Sequence, residues 1–151
     1  MDDSRSCKLL LQFDGGSRGN PGPAGIGVTL TTPAGKTLYE LAEFLGNHTN
    51  NFAEYTALIR GVAAAVELGA TELVIRADSQ LVVRQIQGQY RVKSPDIRPL
   101  YQQATALLEK IPKWSISHLY REHNSRADTL ANLAMDGRTK IEFLAPAATD
   151  K

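Results

Sequence analysis

The hydrophobic pattern changes its period near residue 50, and this change most constrains the fold. Before it lie three stretches typical of β-strands, at residues 8–14, 25–32 and 36–45. They are joined by the glycine-rich segment DGGSRGNPGPAG and by the turn Pro33-Ala34-Gly35, so they predict an antiparallel meander. From Phe52 to Leu68 the apolar residues instead recur at helical spacing, and Gly69 marks the helix end.

The second half of the chain alternates strands with helices. Strands are predicted at residues 72–78 and 115–120, and helices at 79–88, from beyond Pro95 to about Glu109, and from Ser125 to Asp136. Strand–helix–strand units require parallel strands and right-handed crossovers. The predicted fold is therefore α/β, a five-stranded mixed sheet with helices on both faces. We expect an extension at residues 1–7, a domain at 8–137 and a tail at 138–151 that either adds a short edge segment or is disordered.

Composition excludes several classes of protein. With 151 residues, 42% of them hydrophobic, the chain suits one compact domain. It has no apolar run of about 18 residues, and its start lacks the layout of a secretory signal. The single cysteine, Cys7, excludes an internal disulfide, and no Cys/His cluster suggests structural zinc. We expect a monomeric cytoplasmic protein without a membrane partner.

The net charge of +1 conceals an uneven distribution. Residues 79–126 contain eight Lys/Arg and three Asp/Glu, a balance of +5, which leaves −4 for the rest of the chain. A basic half can bind a polyanion while an acidic half binds metal. Ordinary scatter of surface charge explains the same count equally well.

Four acidic residues stand at the ends of predicted elements. Asp14 closes the first strand and Asp78 ends the fourth, while Glu54 and Asp128 lie in the first turns of two helices. If the two strands are neighbours, these carboxylates share the crevice where α/β proteins place their sites. Clustered carboxylates repel one another, and divalent cations neutralise them. Two cations held by acids can activate a water and stabilise the leaving oxygen in phosphodiester hydrolysis.

Each acid also has a purely structural interpretation. Segments 51–54 and 125–128 have the spacing of a capping box, Asp78 could cap the next helix, and Asp14 could stabilise a turn. These interpretations do not predict that all four acids lie at the same edge of the sheet.

The glycine-rich segment after the first strand is open to two interpretations. Its glycines could let backbone N–H groups approach a nucleic-acid strand closely, or they could merely turn the chain. The segment lacks the Gly-Lys-Ser/Thr of a Walker loop and does not open a helix as a dinucleotide-binding loop does. The glycines concerned are Gly15, Gly16, Gly19, Gly22 and Gly25.

Four ordered motifs resemble those of type 1 ribonuclease H. They are FDGGSRGNPGPAGIG, TNNFAEYTAL, IRADSQLVV and REHNSRADTLANLA, and the resemblance spans about residues 8–137. It implies a metal-dependent endoribonuclease that hydrolyses the RNA strand of RNA/DNA hybrids by a two-metal-ion mechanism, leaving 5′-phosphate and 3′-hydroxyl ends. It also implies two Mg²⁺ ions per site, for which Mn²⁺ can substitute.

The resemblance assigns roles residue by residue. The metal-binding catalytic acids fall on Asp14, Glu54, Asp78 and Asp128. A mobile-loop histidine that aids proton transfer or product release falls on His123, and because this loop is shorter than in much of the family, Arg121 and Glu122 are rival candidates. Thr49 matches part of a phosphate pocket for the DNA strand. Positions that match hybrid contacts are Gly19, Asn20, Asn50, Asn51, Ser79 and Gln80.

One departure from the family concerns the basic helical protrusion that many members carry between the third acid and the loop histidine. Here the interval Gln80–Glu122 is short, and its basic residues are spread out. The chain therefore resembles the compact subgroup without the protrusion, and its hybrid binding would depend on fewer phosphate contacts. The basic residues concerned include Arg84, Arg91, Lys93 and Arg98.

Three other functions fit parts of the pattern. A non-catalytic hybrid- or RNA-binding module on the same fold would have lost its acids, whereas all four and His123 are present. A phospho-receiver domain shares an acidic crevice, but the opening meander contradicts its regular βα repeat. An accessory domain of a larger polymerase-nuclease would carry the same motifs.

Overall fold

The computed structural model describes residues 6–146. Most of the predicted extension at 1–7 and the end of the predicted tail therefore lie outside the described residues. The strands are β1 (Lys8–Ser17), β2 (Gly22–Thr31), β3 (Thr37–His48), β4 (Glu72–Ala77), β5 (Lys113–His118) and β6 (Lys140–Leu144). The helices are α1 (Asn50–Glu67), α2 (Gln80–Ile86), α3 (Arg98–Leu108) and α4 (Ser125–Gly137), with a 3₁₀ turn at Arg121–His123. Within 6–146, no helix is long and apolar enough to cross a membrane.

The strands form one mixed sheet in the order β5-β4-β1-β2-β3-β6. β1, β2 and β3 pair antiparallel, while β4 pairs parallel with β1 and β5 parallel with β4. The predicted α/β mixed sheet is confirmed, and the regular βα repeat of a phospho-receiver is excluded. The sheet has six strands rather than five, because residues 140–144 of the predicted tail pair antiparallel with β3. There the Tyr39 hydroxyl donates a hydrogen bond to Glu142 Oε2 at 2.6 Å.

Helices cover both faces of the sheet, and glycines allow two of them to approach closely. Alternate apolar residues of β1 are buried beneath α1, and a Cβ at Gly61 of α1 would lie 2.5 Å from Leu11 Cδ1. Gly27 of β2 faces α4 on the other side, where a Cβ would lie 2.7 Å from the backbone nitrogen of Ala131. The sheet is therefore enclosed between α1 on one face and α4 on the other. α2 and α3 extend the hydrophobic core on the side of α1.

Two element boundaries differ from the predictions in ways that concern the acids. β1 continues to Ser17 because Gly16 and Ser17 pair with β2, so Asp14 lies within the strand and does not close it. α1 begins at Asn50, which places Glu54 in its second turn. Asp128 does lie in the first turn of its helix, as predicted.

Candidate active site

Pairing of two parallel strands brings the first two acids together. Phe13 of β1 pairs with Ala77 of β4, so Asp14 and Asp78 follow neighbouring positions at the same edge of the sheet. On its other side, Asp14 pairs with Gly27 of β2, the residue that faces α4. The strand register therefore directs Asp14 toward the helix that carries Asp128.

The third acid arrives from the opposite side of the sheet through a close helix–strand contact. A Cβ at Gly15 would lie 2.6 Å from the backbone nitrogen of Glu54, so only glycine lets the start of α1 approach β1 this closely. Because Gly15 follows Asp14 directly, the same contact places Glu54 beside the sheet edge.

A cavity of about 470 Å³ lies where these elements meet. All four predicted acids line it, and Asn50, Arg18 and Arg121 also contribute to its wall. The structure therefore brings together the carboxylates that the sequence places on four separate elements.

The carboxylates disturb one another strongly. The pKa of Asp14 is raised from 3.8 to about 8, first by burial and then by the charge of Asp78, a hydrogen bond with Asp128, and the charges of Asp128 and Glu54. Burial also raises the pKa of Glu54 from 4.5 to about 7. A hydrogen bond from Ser79 Oγ to Glu54 Oε1, at 3.1 Å, opposes this rise, whereas the charge of Asp78 adds to it.

Asn124, which the sequence did not single out, holds the site together. It is fully buried, and its Nδ2 donates to the Phe13 carbonyl oxygen at 2.9 Å and to Asp78 Oδ2 at 3.3 Å. Its Oδ1 accepts a hydrogen bond from Gln12 Nε2 at 3.2 Å. Asn124 therefore connects β1, the end of β4 and the start of α4 around one carboxylate.

The capping interpretations of the acids are wrong. Thr49, not Asn51, caps α1 by accepting a hydrogen bond from the Phe52 amide at 3.2 Å. Ser79, not Asp78, caps α2, and α4 has no side-chain cap at all. The acids are thus free of helix capping. Only Asp14 makes the local contact expected of a turn residue, since its Oδ1 accepts from the Gly15 amide at 3.0 Å.

His123 lies outside the wall of this cavity. It is an exposed residue at the end of the 3₁₀ turn, and Gln12 Nε2 donates to its carbonyl oxygen at 3.0 Å. Of its two rivals, Arg121 does line the cavity, with Nη2 3.6 Å from Asp128 Oδ1. Glu122 is exposed and does not line the cavity.

The predicted hybrid-contacting residues form two groups around the acids. Asn50 lines the cavity, its Oδ1 accepts from the Ser17 amide at 2.6 Å, and its own amide donates to Asn20 Oδ1 at 3.0 Å. These contacts hold the β1–β2 loop against the start of α1. Ser79 reaches the site through Glu54, as described above.

The remaining predicted contacts lie beside the cavity and do not line it. Thr49 and Asn51 line a separate depression of about 550 Å³, and Asn51 Oδ1 is buried without a hydrogen-bond partner among residues 6–146. Gly19 lies in the exposed β1–β2 loop, and Gln80 is the exposed first residue of α2.

Three of the five glycines serve internal packing. A Cβ at Gly15, Gly22 or Gly25 would collide with α1, with the β1–β2 loop or with Met135 of α4, respectively. Internal packing therefore explains these three glycines, although Gly15 also lines the cavity. Gly16 lines the cavity, and the nearest side-chain atom to a Cβ there would be Met135 Cε at 3.7 Å.

The donor set suits a hard divalent cation. Carboxylate oxygens are the ligands that Mg²⁺ prefers, and mutual repulsion of the acids would be relieved by positive charge between them. In the described part of the chain, no three Asp, Glu, His or Cys side chains are already gathered as a closed metal cluster.

Comparison with known proteins places this geometry in a family. A family model described as reverse transcriptase-like matches residues 12–134. The chain is 45% identical, over 136 residues, to a ribonuclease HI of Halobacterium salinarum, covering 90% of this chain and 68% of that protein. It is 48% identical, over 130 residues, to a bifunctional protein of Mycobacterium tuberculosis, covering 85% of this chain. It spans only 36% of that mycobacterial relative's length.

Among solved structures, the chain is similar to LC11-RNase H1 in complex with an RNA/DNA hybrid. The TM-score is 0.82 at 42% identity, and the match covers 86% of this chain and 98% of that one.

Proposed function

Because the chain belongs to the type 1 ribonuclease H family, we propose that it hydrolyses the RNA strand of RNA/DNA hybrids in a reaction that depends on divalent metal. The observation that carries this proposal is the single cavity lined by Asp14, Glu54, Asp78 and Asp128. The relative solved with a hybrid supports the substrate class.

The four acids would hold two Mg²⁺ ions, or Mn²⁺ in their place. Bound ions of this kind neutralise the carboxylates, activate a water and stabilise the leaving oxygen of a phosphodiester. The chain orients two of the acids for binding ions, because Asn124 donates a hydrogen bond to the Asp78 carboxylate and Ser79 donates one to that of Glu54. Such supporting hydrogen bonds fix the direction of each ligand.

Hydrolysis would break the bond between phosphorus and the 3′ oxygen, leaving 5′-phosphate and 3′-hydroxyl ends. The departing 3′ oxygen needs a proton, and we assign its delivery, or the release of product, to His123. The backbone of His123 is held through Gln12 while its side chain is exposed, so the imidazole is accessible to substrate and solvent.

Selection of RNA over DNA would depend on the 2′-hydroxyl, which both donates and accepts hydrogen bonds. Uncharged amides, hydroxyls and bare backbone adjoin the acids in the sequence, and these groups suit hydroxyl recognition better than lysines, which bind any phosphate strand. Thr49 would contact a phosphate of the DNA strand. The groups assigned to the RNA strand are Gly19, Asn20, Asn50, Asn51, Ser79 and Gln80.

The proposal is tested by cleavage of matched RNA/DNA, RNA/RNA and DNA/DNA duplexes, with Mg²⁺ and separately with Mn²⁺. We expect the RNA strand of the hybrid to be cut and the DNA duplex to stay intact. Replacing single riboses near the cut by deoxyribose should slow the wild type. Equal rates on all such hybrids would refute 2′-hydroxyl recognition, and binding without any cleavage would favour a non-catalytic module. Monomeric state and cytoplasmic location stay predictions.

A further inference from the structure

The cavity that the acids line extends beyond them along α4. This extension reaches the positively charged side chain of Arg18, which has no role in the proposed reaction. Arg18, in the loop between β1 and β2, lines this extension together with Asn132 and Met135 of α4. None of these three residues matches a motif position assigned above. The extension is therefore a part of the site whose role is still unassigned.

The Arg18 guanidinium is held in place by two residues of α4. Its Nη1 donates to Asp136 Oδ1, and its Nη2 donates to Asn132 Oδ1 at 3.0 Å. A guanidinium carries five N–H donors, so donors remain for a ligand. The side chains of Arg18 and Asp136 are 46% and 66% exposed, and exposed ion pairs of this kind contribute little and are easily exchanged.

Asn132 also links Arg18 to the turn of α4 that carries Asp128. Its Nδ2 donates to the Asp128 carbonyl oxygen at 3.0 Å, and it lies one helical turn after Asp128. At a rise of about 1.5 Å per residue, this turn spans about 6 Å along α4. This separation is short enough for Arg18 to reach a backbone phosphate close to the one that the acids would hold.

We propose that Arg18 binds a backbone phosphate of the RNA strand close to the scissile bond, and so sets the register of the strand over the acids. This proposal rests on the proposed function and adds a specificity residue to it. A phosphate fits because the planar guanidinium binds two phosphate oxygens at once. Asp136 holds the guanidinium when no strand is bound, and the phosphate replaces it.

The first experiment measures kcat and KM on a hybrid over a series of salt concentrations. Arg18→Gln should raise KM by about tenfold, the effect of losing one charged hydrogen bond, with kcat nearly unchanged. It should also lower the slope of log KM against log salt by the amount that one lost phosphate contact contributes, which is about 0.7–0.9. Arg18→Lys, which keeps the charge but loses the fork, should retain the slope. The matched control is Arg60→Gln, because Arg60 is 44% exposed, is paired with Glu43 and does not line this cavity.

Asp136→Asn separates phosphate binding from a merely structural role of Arg18. If Arg18 binds phosphate, removing its competing carboxylate should leave KM unchanged or lower it. If Arg18 only anchors the β1–β2 loop to α4, Asp136→Asn should raise KM as Arg18→Gln does, and the proposal would be overturned. Thermal melting of each variant establishes that it is folded.

A neutral methylphosphonate placed at single positions of the RNA strand locates the contact. The wild type should be slowed by the substitution at one position close to the cut, whereas Arg18→Gln should be insensitive to the substitution at that position. Equal sensitivity of both proteins at every position would overturn the proposal. If the wild type cut no hybrid at all, the proposed function would fail. The role of Arg18 would still be tested by measuring the Kd for the hybrid over the same series of salt concentrations.

Discussion

Replacing Asp14 by asparagine should stabilise the metal-free protein at neutral and alkaline pH. In the folded protein the pKa of Asp14 is raised from 3.8 to about 8, first by burial and then by the charge of Asp78. A raised pKa means that folding opposes ionisation, so the stability present below about pH 4 is lost as the pH rises through about 8. At about 1.4 kcal/mol per unit, four units set a ceiling of roughly 5–6 kcal/mol. Partial exposure and salt reduce this value, and we expect about 2–3 kcal/mol.

Thermal unfolding between pH 4 and pH 9 in a chelating buffer measures this effect. For a chain of this size, about 2–3 kcal/mol corresponds to a Tm difference of roughly 4–10 °C, which should appear only as the pH rises. Asp96→Asn is the control, because Asp96 is exposed and does not line the cavity. The reasoning is refuted if Asp14→Asn melts below the wild type at pH 8, or if the difference between them is the same at every pH.

Three further predictions concern other parts of the molecule. His123→Ala should lower kcat on a labelled hybrid by about 10²- to 10⁴-fold without abolishing cleavage, and an unchanged kcat would remove the residue from the mechanism. Asn50→Ala should slow hybrid cleavage by an amount that persists at high salt, whereas Lys93→Ala should change the salt slope; identical salt dependence would contradict both roles. Gly27→Ala should cost about 1–3 kcal/mol in a urea melt, because a Cβ there overlaps the Ala127 carbonyl oxygen. A melt like that of the wild type would show that α4 can move aside.

Much of the fold was predictable because the apolar period matches what the sheet buries. Tyr55, Leu58 and Val62, which share helical spacing, are all fully buried on the face of α1 that packs on the sheet. The sequence does not decide whether β6 forms, because a strand whose side chains are all exposed has no buried alternation, and its pairing depends on distant contacts such as that between Tyr39 and Glu142.

The acids of the site were predictable, but their support was not. An acid three residues after a polar one has the same spacing whether it caps a helix or lines a cavity, and only the structure shows that Thr49 and Ser79 do the capping. Asn124 precedes a helix and so resembles an ordinary N-cap, while its true partners, Phe13 and Asp78, are remote in sequence. The contacts of Arg18 are likewise remote in sequence, since they lie on α4.

The central claim is that Asp14, Glu54, Asp78 and Asp128 act together as the metal-holding site of a nuclease that cuts RNA paired with DNA. The most direct test is single-turnover cleavage of an end-labelled hybrid by the wild type and by Asp78→Asn, each with Mg²⁺ and with chelator. We predict RNA products with 5′-phosphate and 3′-hydroxyl ends from the wild type with Mg²⁺ alone, and none from folded Asp78→Asn. Near-normal cleavage by Asp78→Asn, or cleavage by the wild type in chelator, would contradict the claim.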